Sequence, residues 1–193
     1  LDSLVLGEPQ ILGQLKKAHE LAIRAGTVGK MINKLMQVAF STSKIIRSKT
    51  EIGSAPISVA YAATKLAQQI HGDLGSISAL LIGAGETINL VAKHLREANI
   101  KRIVVANRTL ANSKKITEIT GGESIHLLDI PNELTRADIV VSSISSRISV
   151  IGSEMVKLAL KRRSGKPIFF VDLGVPRNIQ EKVGLIDAAY LYS

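Results

Sequence analysis

Apolar positions recur every three or four residues through the first 50 residues of the chain and then change rhythm. Residues 8–26, "EPQILGQLKKAHELAIRAG", place Ile11, Leu15, Ala18 and Ala22 near one face and close on Gly26, a natural helix stop. Residues 30–48, "KMINKLMQVAFSTSKIIRS", repeat the pattern with Met31, Leu35, Val38 and Ile45. "TEIGSAP" at 50–56 is the first clear breaker. Ser54 or Pro56 then opens a third helix, the Ala-rich "ISVAYAATKLAQQIHG", which ends at Gly72.

From Ser76 the period shortens. "ISALLI" at 77–82 is a fully apolar run of the kind that forms a strand buried on both faces. A helix over 87–100, a strand "RIVVA" and a helix over 110–120 follow, then a strand "SIHLLD" at 124–129 and a helical turn at 133–137. After these come a strand "DIVVSSI" at 138–144, a helix over 153–163, a strand "PIFFVDLG" at 167–174 and a last strand "AAYLY". Strands alternating with helices require right-handed crossovers, so the fold class expected is α/β: a Rossmann-like doubly wound parallel sheet preceded by helices from the end of a separate domain. The boundary is expected near residue 52, giving domains 1–52 and 53–193.

Residues 79–95, "ALLIGAGETINLVAKHL", carry the first candidate chemistry. Gly83 and Gly85 follow a strand and open a helix, the setting of a dinucleotide fingerprint. The first glycine permits a tight turn, the second lets a pyrophosphate approach the backbone, and the helix start offers free N–H groups. Ile88 stands where the third glycine of the full fingerprint belongs. At the end of the second strand, where an acid would hold the ribose hydroxyls of NAD, the chain has Asn107-Arg108-Thr109. An arginine there suits the 2′-phosphate of NADP, because a guanidinium binds phosphate in a fork. Its bland counterpart is a solvated turn. Ser142, Ser143, Ser145 and Ser146 follow the strand "DIVV" at the carboxyl edge of the sheet, where such folds bind ligands; a plain polar loop explains them equally well.

Composition adds bounds. Hydrophobic residues make up 46% and charged residues 21%, which suits a packed core, and with only 3% aromatics that core rests on Leu, Ile, Val and Ala. A net charge of +9 suits an anionic partner, though solubility alone also accounts for it. With no cysteine, the chain has no disulfide, no thiolate metal site and no thiol nucleophile. The four histidines, His19, His71, His94 and His126, share no ligand spacing, so no metal is expected. No carboxylate pair is poised for acid–base work. The stretch "LKRRSGK" at 160–166 reads as a solvated basic helix end that complements the dipole. There is no apolar stretch of membrane-spanning length and no basic-then-apolar leader, so a cytoplasmic protein without membrane contact is expected. The opening "LDSLVLGEPQ" and the closing "YLYS" read as parts of a longer pattern.

Taken together these stretches resemble the glutamyl-tRNA reductase family. "SLVLGEPQILGQLKKA" at 3–18 is similar to the family's substrate-recognition segment, "GAGETI" at 83–88 to its NADPH loop and "NRT" at 107–109 to its adenosine-phosphate contact. "VDLGVPRNI" at 171–179 and "AAYLY" at 188–192 resemble the last strands of its nucleotide domain. The resemblance implies NADPH-dependent reduction of glutamyl-tRNA(Glu) to glutamate-1-semialdehyde through a cysteine thioester, the first step of tetrapyrrole synthesis by the five-carbon route. It also implies a homodimer for the full-length protein and makes glutamate-1-semialdehyde aminomutase a candidate partner. By residue match, Ser3, Glu8, Pro9, Gln10 and Gln14 would line the glutamyl pocket. Gly83, Ala84, Gly85, Glu86, Thr87 and Ile88 would hold the NADPH pyrophosphate, and Asn107, Arg108 and Thr109 the adenosine phosphate. The nucleophilic cysteine would lie outside these residues, as would the family's dimerisation domain, and the serine run at 142–148 departs from the family's usual form. Two rivals stand: a shikimate-dehydrogenase-like NADP oxidoreductase, which would need a lysine–aspartate pair not found in residues 1–54, and a non-catalytic NADP(H)- or tRNA-binding module.

Overall fold

The computed structural model describes residues 9–50 and 59–193, with side chains over 11–50 and 61–193. The chain divides into two compact units, Leu1–Val59 and Ala60–Ser193.

The first unit contains α1 (Pro9–Arg24) and α2 (Lys30–Lys49). Gly26 ends α1 with φ +68°, and the Thr27 amide donates to the Ala22 carbonyl at 3.1 Å, the left-handed stop that a glycine permits. Phe40 of α2 meets the His19 ring edge-on at 5.7 Å and lies 5.8 Å beneath the Lys16 ammonium. The apolar stripe read from sequence is helical, yet the described residues do not cover it: α2 has no buried residue, and Met31 is 85% exposed. The breaker at 50–56 and the start of the third helix lie largely outside the described residues.

The second unit begins on α3 (Val59–His71) and is built on a six-stranded parallel sheet. Its elements run β1 (Ser78–Ile82), α4 (Glu86–Glu97), β2 (Arg102–Asn107), α5 (Leu110–Thr120), β3 (Glu123–His126), α6 (Ile130–Glu133) and β4 (Ile139–Ser142). They continue with α7 (Ser153–Arg162), β5 (Ile168–Asp172) and β6 (Ala189–Tyr192). Strand order is β3-β2-β1-β4-β5-β6, with the reversal between β1 and β4. This is the expected α/β doubly wound sheet, and its switch point lies where the glycine turn leaves β1.

Two apolar layers sandwich the sheet. On one face Leu81, Val105 and Val141 pack with Ile88, Val91 and Leu95 of α4 and Ala63 and Ala67 of α3. On the other, Leu80, Ile82, Val104 and Phe170 pack with Ile130, Val156 and Leu160. Alternate residues of one strand thus serve opposite cores, which is why these strands read as continuous apolar runs. At the amino edge Arg102 forks to the Glu123 carboxylate (2.9 and 3.0 Å) and also binds Glu133, tying β2 to β3 and α6. Those bonds raise the Arg102 pKa, and the same guanidinium holds Glu123 below the usual carboxylate range.

Two local expectations change. The strand expected at 124–129 stops at His126, and Leu127–Asp129 forms a 3₁₀ turn in which the Asp129 carboxylate accepts from the His126 amide at 3.2 Å. The basic stretch 160–166 is not all solvated. Arg163 is 8% exposed and donates to the Ala137 carbonyl (2.6 Å), the Lys166 carbonyl (2.8 Å) and the Asp138 carboxylate (2.7 Å). A buried guanidinium bonded through all three of its nitrogens acts here as a clasp around the end of α7.

Candidate functional site

Gly83 and Gly85 differ sharply. The Gly83 amide still donates to the Ala106 carbonyl at 2.9 Å, extending the β1–β2 ladder by one bond. Its φ is +119°, and a Cβ there would sit 2.5 Å from the Ser143 carbonyl oxygen and 3.0 Å from Ile144. The fold itself therefore demands glycine at this position. Gly85 has ordinary extended backbone (φ −81°, ψ 179°) and caps the start of α4; a Cβ there would meet nothing within 4 Å. Its bare surface is open to whatever occupies the cleft. The first helical bond of α4 runs from the Asn89 amide to the Gly85 carbonyl, so the amides of Glu86, Thr87 and Ile88 precede the ladder and carry the helix's partial positive charge. The Ile88 side chain, standing where the fingerprint has its third glycine, is fully buried in the core.

At the tip of β2, the Asn107 carboxamide donates to the Thr109 carbonyl at 2.9 Å, and Thr109 caps α5. This closes a tight corner and turns Arg108 outward. Arg108 is exposed and makes no hydrogen bond or ion pair to any described residue.

After β4 the four serines take separate duties. The Ser142 hydroxyl is buried and donates to Asn178 Oδ1 at 3.0 Å, and the Ser146 hydroxyl donates to the Ile148 carbonyl at 2.7 Å. Ser143 and Ser145 have no hydroxyl partner among the described residues. The loop is held by Asn178, in the turn after β5, which is itself fixed by Asp172 at the end of that strand; both are essentially unexposed. One Asp172 oxygen accepts from the amides of Asn178 and Ile179 (2.8 and 2.9 Å), and the other accepts from Gly174 (2.9 Å).

These three corners meet in one cleft of about 470 Å³ at the carboxyl edge of the sheet. Ala84 and Gly85 form one side, Asn107, Arg108 and Asn112 another, and Ser143, Ile144, Ser145 and Ser146 a third; Leu127 and Val150 add apolar surface. The donor set fits a phosphorylated dinucleotide. A helix start and a glycine without side-chain contacts offer amide donors, a guanidinium offers a phosphate fork, and free hydroxyls lie toward the β4 side.

Of the residues expected from sequence, Ala84, Gly85, Asn107 and Arg108 are thus brought together. Gly83 lies just beneath, packed on the serine loop, while Glu86, Thr87, Ile88 and Thr109 do not line the cleft with their side chains. Asn112, Leu127 and Val150 escaped sequence reasoning because their spacing matches no motif. Asp172 and Asn178 escaped it because a buried polar residue after a strand looks like any turn. The expected glutamyl-pocket residues Ser3 and Glu8 lie outside the described residues, as do the side chains of Pro9 and Gln10. Gln14 is exposed on α1. Among the described residues there is no cluster of three His, Asp or Glu able to hold a metal, and no helix is long and apolar enough to cross a membrane.

Comparisons with known proteins extend this picture. Residues 65–193 match the family model of shikimate/quinate 5-dehydrogenase, and residues 1–50 match that of the glutamyl-tRNA(Glu) reductase N-terminal domain. The glutamyl-tRNA reductase of Ectopseudomonas mendocina is 55% identical over all 193 residues, which span 45% of that protein's length. The solved glutamyl-tRNA reductase of Methanopyrus kandleri superposes over 98% of the chain and 48% of its own, with TM-score 0.66 and 33% identity. The nucleotide-binding domain of the Thermoplasma volcanium reductase superposes over 67% of the chain and 84% of its own at TM-score 0.51; at 19% identity it speaks for the fold alone. Residues 65–193 therefore fall in the shikimate/quinate 5-dehydrogenase family of nucleotide domains, and the chain as a whole belongs to the glutamyl-tRNA reductases.

Proposed function

We propose that the chain supplies the NADPH-binding domain (residues 53–193) and the end of the substrate domain (residues 1–52) of an enzyme that reduces glutamyl-tRNA(Glu) to glutamate-1-semialdehyde, the entry to tetrapyrrole synthesis. The observation that carries this reading is the shared cleft of Gly85 and the unpartnered Arg108. Amides at the start of α4 receive the pyrophosphate, and Arg108 forks the 2′-phosphate that distinguishes NADPH from NADH. Ser143 and Ser145 offer hydroxyls toward the nicotinamide half. When bound, NADPH supplies a hydride to a thioester carbonyl. The thiol that forms the thioester and releases the tRNA comes from elsewhere in the protein, since these 193 residues contain no cysteine. Ser3, Glu8, Gln10 and Gln14 contribute hydroxyl, carboxylate and amide groups suited to an α-amino acid head, with Pro9 shaping the backbone between them.

The shikimate-type reading shares the nucleotide domain, so it is separated by the other end of the chain. Residues 1–50 match the reductase's N-terminal domain. Titrating the chain with NADPH and NADH tests the proposal. NADPH should bind at least about tenfold more tightly, consistent with one charge-assisted fork, and the chain alone should turn over no glutamyl-tRNA. Equal affinities, or turnover by the chain alone, would refute it.

A further inference from the structure

Asn178 stands beneath the loop Ser143–Val150 and binds it at both ends. Its carboxamide takes the departing end: Oδ1 accepts from the Ser142 hydroxyl (3.0 Å) and the Ile144 amide (2.9 Å), and Nδ2 donates to the Ile144 carbonyl at 2.9 Å. Its backbone carbonyl takes the returning end, accepting from the amides of Val150 (2.7 Å) and Ile151 (3.2 Å). A fourth carboxamide bond, Nδ2 to the Pro176 carbonyl at 3.2 Å, leaves the buried group fully used. Asn178 is itself fixed, because Asp172 accepts from its amide. On the other flank Gly174 approaches so closely that a Cβ there would lie 2.3 Å from Asn178 Oδ1. A buried carboxamide oriented by four bonds and hemmed in by a glycine has one orientation, and the loop inherits it.

From this we infer that Asn178, oriented by Asp172, is a positioning residue for the nicotinamide half of the cofactor. Asn178 is not itself among the residues that line the cleft. It acts by fixing Ile144 and the neighbouring Ser143 and Ser145, which form the wall after β4. In a sheet of order 3-2-1-4-5-6, the β1–β3 half receives the adenosine nucleotide and the β4–β6 half the other nucleotide. Gly85 and Arg108 belong to the first half, and neither bonds to the Asn178 network. Damage to Asn178 must therefore weaken one half of the ligand and spare the other. The inference rests on the NADPH reading above.

The test uses the full chain, with NADPH and adenosine 2′,5′-bisphosphate as separate probes in equilibrium titrations. The bisphosphate carries the 2′-phosphate and adenosine but no nicotinamide half. Asn178→Ala should weaken NADPH about ten- to hundredfold, while the bisphosphate stays within about twofold of the unmodified chain. Gly174→Ala, which displaces the carboxamide without removing it, should give the same split, and it stands in if Asn178→Ala does not fold. Ser142→Ala, which removes one bond of the four, should give a smaller loss of about threefold with the same selectivity. Equal weakening of both probes, or no weakening of NADPH, would overturn the inference while leaving the cofactor reading intact. If the unmodified chain bound neither probe, both would fall.

Discussion

The two walls of the cleft are built on opposite physics. The wall from β1 and β2 is defined by what is missing: Gly83 has no side chain to collide with Ser143, Gly85 has none to obstruct a ligand, and Arg108 has no partner among the described residues. The wall after β4 is defined by what is present, namely a buried serine, asparagine and aspartate whose hydrogen bonds are made to one another and to backbone. One wall should fail when atoms are added and the other when atoms are removed. Adding a methyl group to an empty position costs steric strain, whereas truncating a satisfied buried polar group strands its partners.

The largest effect should come from adding one carbon at Gly83. In Gly83→Ala the new methyl meets the Ser143 carbonyl at 2.5 Å on backbone with φ +119°, so strain and overlap act together. A loss of roughly 3 kcal/mol or more is expected, which urea denaturation would read as a lowered midpoint with unchanged slope. Gly85→Ala is the matched control. With nothing within 4 Å of its Cβ, it should leave stability within about 0.5 kcal/mol while weakening NADPH several-fold. Should the two variants lower stability equally, the division of labour within the motif is wrong.

Next in size is Arg108→Ala. It removes a phosphate fork and no hydrogen bond or ion pair to any described residue, so stability should hold. NADPH affinity should fall about ten- to hundredfold, and NADH affinity should barely move. The variant should thus bind the two cofactors about equally, which paired titrations would reveal. A variant that kept its preference would shift the discriminating role to Asn107 or Asn112, the other polar side chains of that corner.

How much of this could be read from the residues follows from the same contrast. The strand–helix alternation placed all six strands, because a parallel strand buried on both faces leaves an unbroken apolar run. Gly83, Gly85 and Arg108 were legible because fixed spacing after a strand is itself a signal. Asn178 was not. Its meaning depends on Ser142 and Ile144, 36 and 34 residues away in the chain, and only folding brings them together. The same reason misjudged Arg163, whose partners Ala137 and Asp138 lie 26 and 25 residues off. The helices α1 and α2 show the converse. Their periodicity names the element correctly but cannot say what covers the apolar stripe, and Leu35 and Met31 remain exposed among the described residues.

The smallest expected effect concerns a residue outside both walls. His71, at the end of α3, meets Phe169 of β5 edge-on at 4.9 Å, and its Nε2 is buried without a partner among the described residues. Burial lowers its pKa below the ordinary 6.5, and the Asp138 charge partly opposes that shift. The folded chain therefore holds a proton on His71 less readily than the unfolded chain. The stability this neutral ring contributes is fully present above pH 6.5 and drains away as pH falls through 6.5 toward the lowered value. The ring is partly solvated, so screening keeps the effect small, about 1–2 °C in melting temperature between pH 7.5 and 5.5. His71→Gln should remove that increment of acid sensitivity, which paired melts at the two pH values would show as a smaller drop than in the unmodified chain. Its ratio of NADPH to adenosine 2′,5′-bisphosphate affinity should be unchanged, because neither wall bonds to this ring. A change in that ratio would mean the walls are coupled to the packing of α3 on β5, and the separation between them would have to be redrawn.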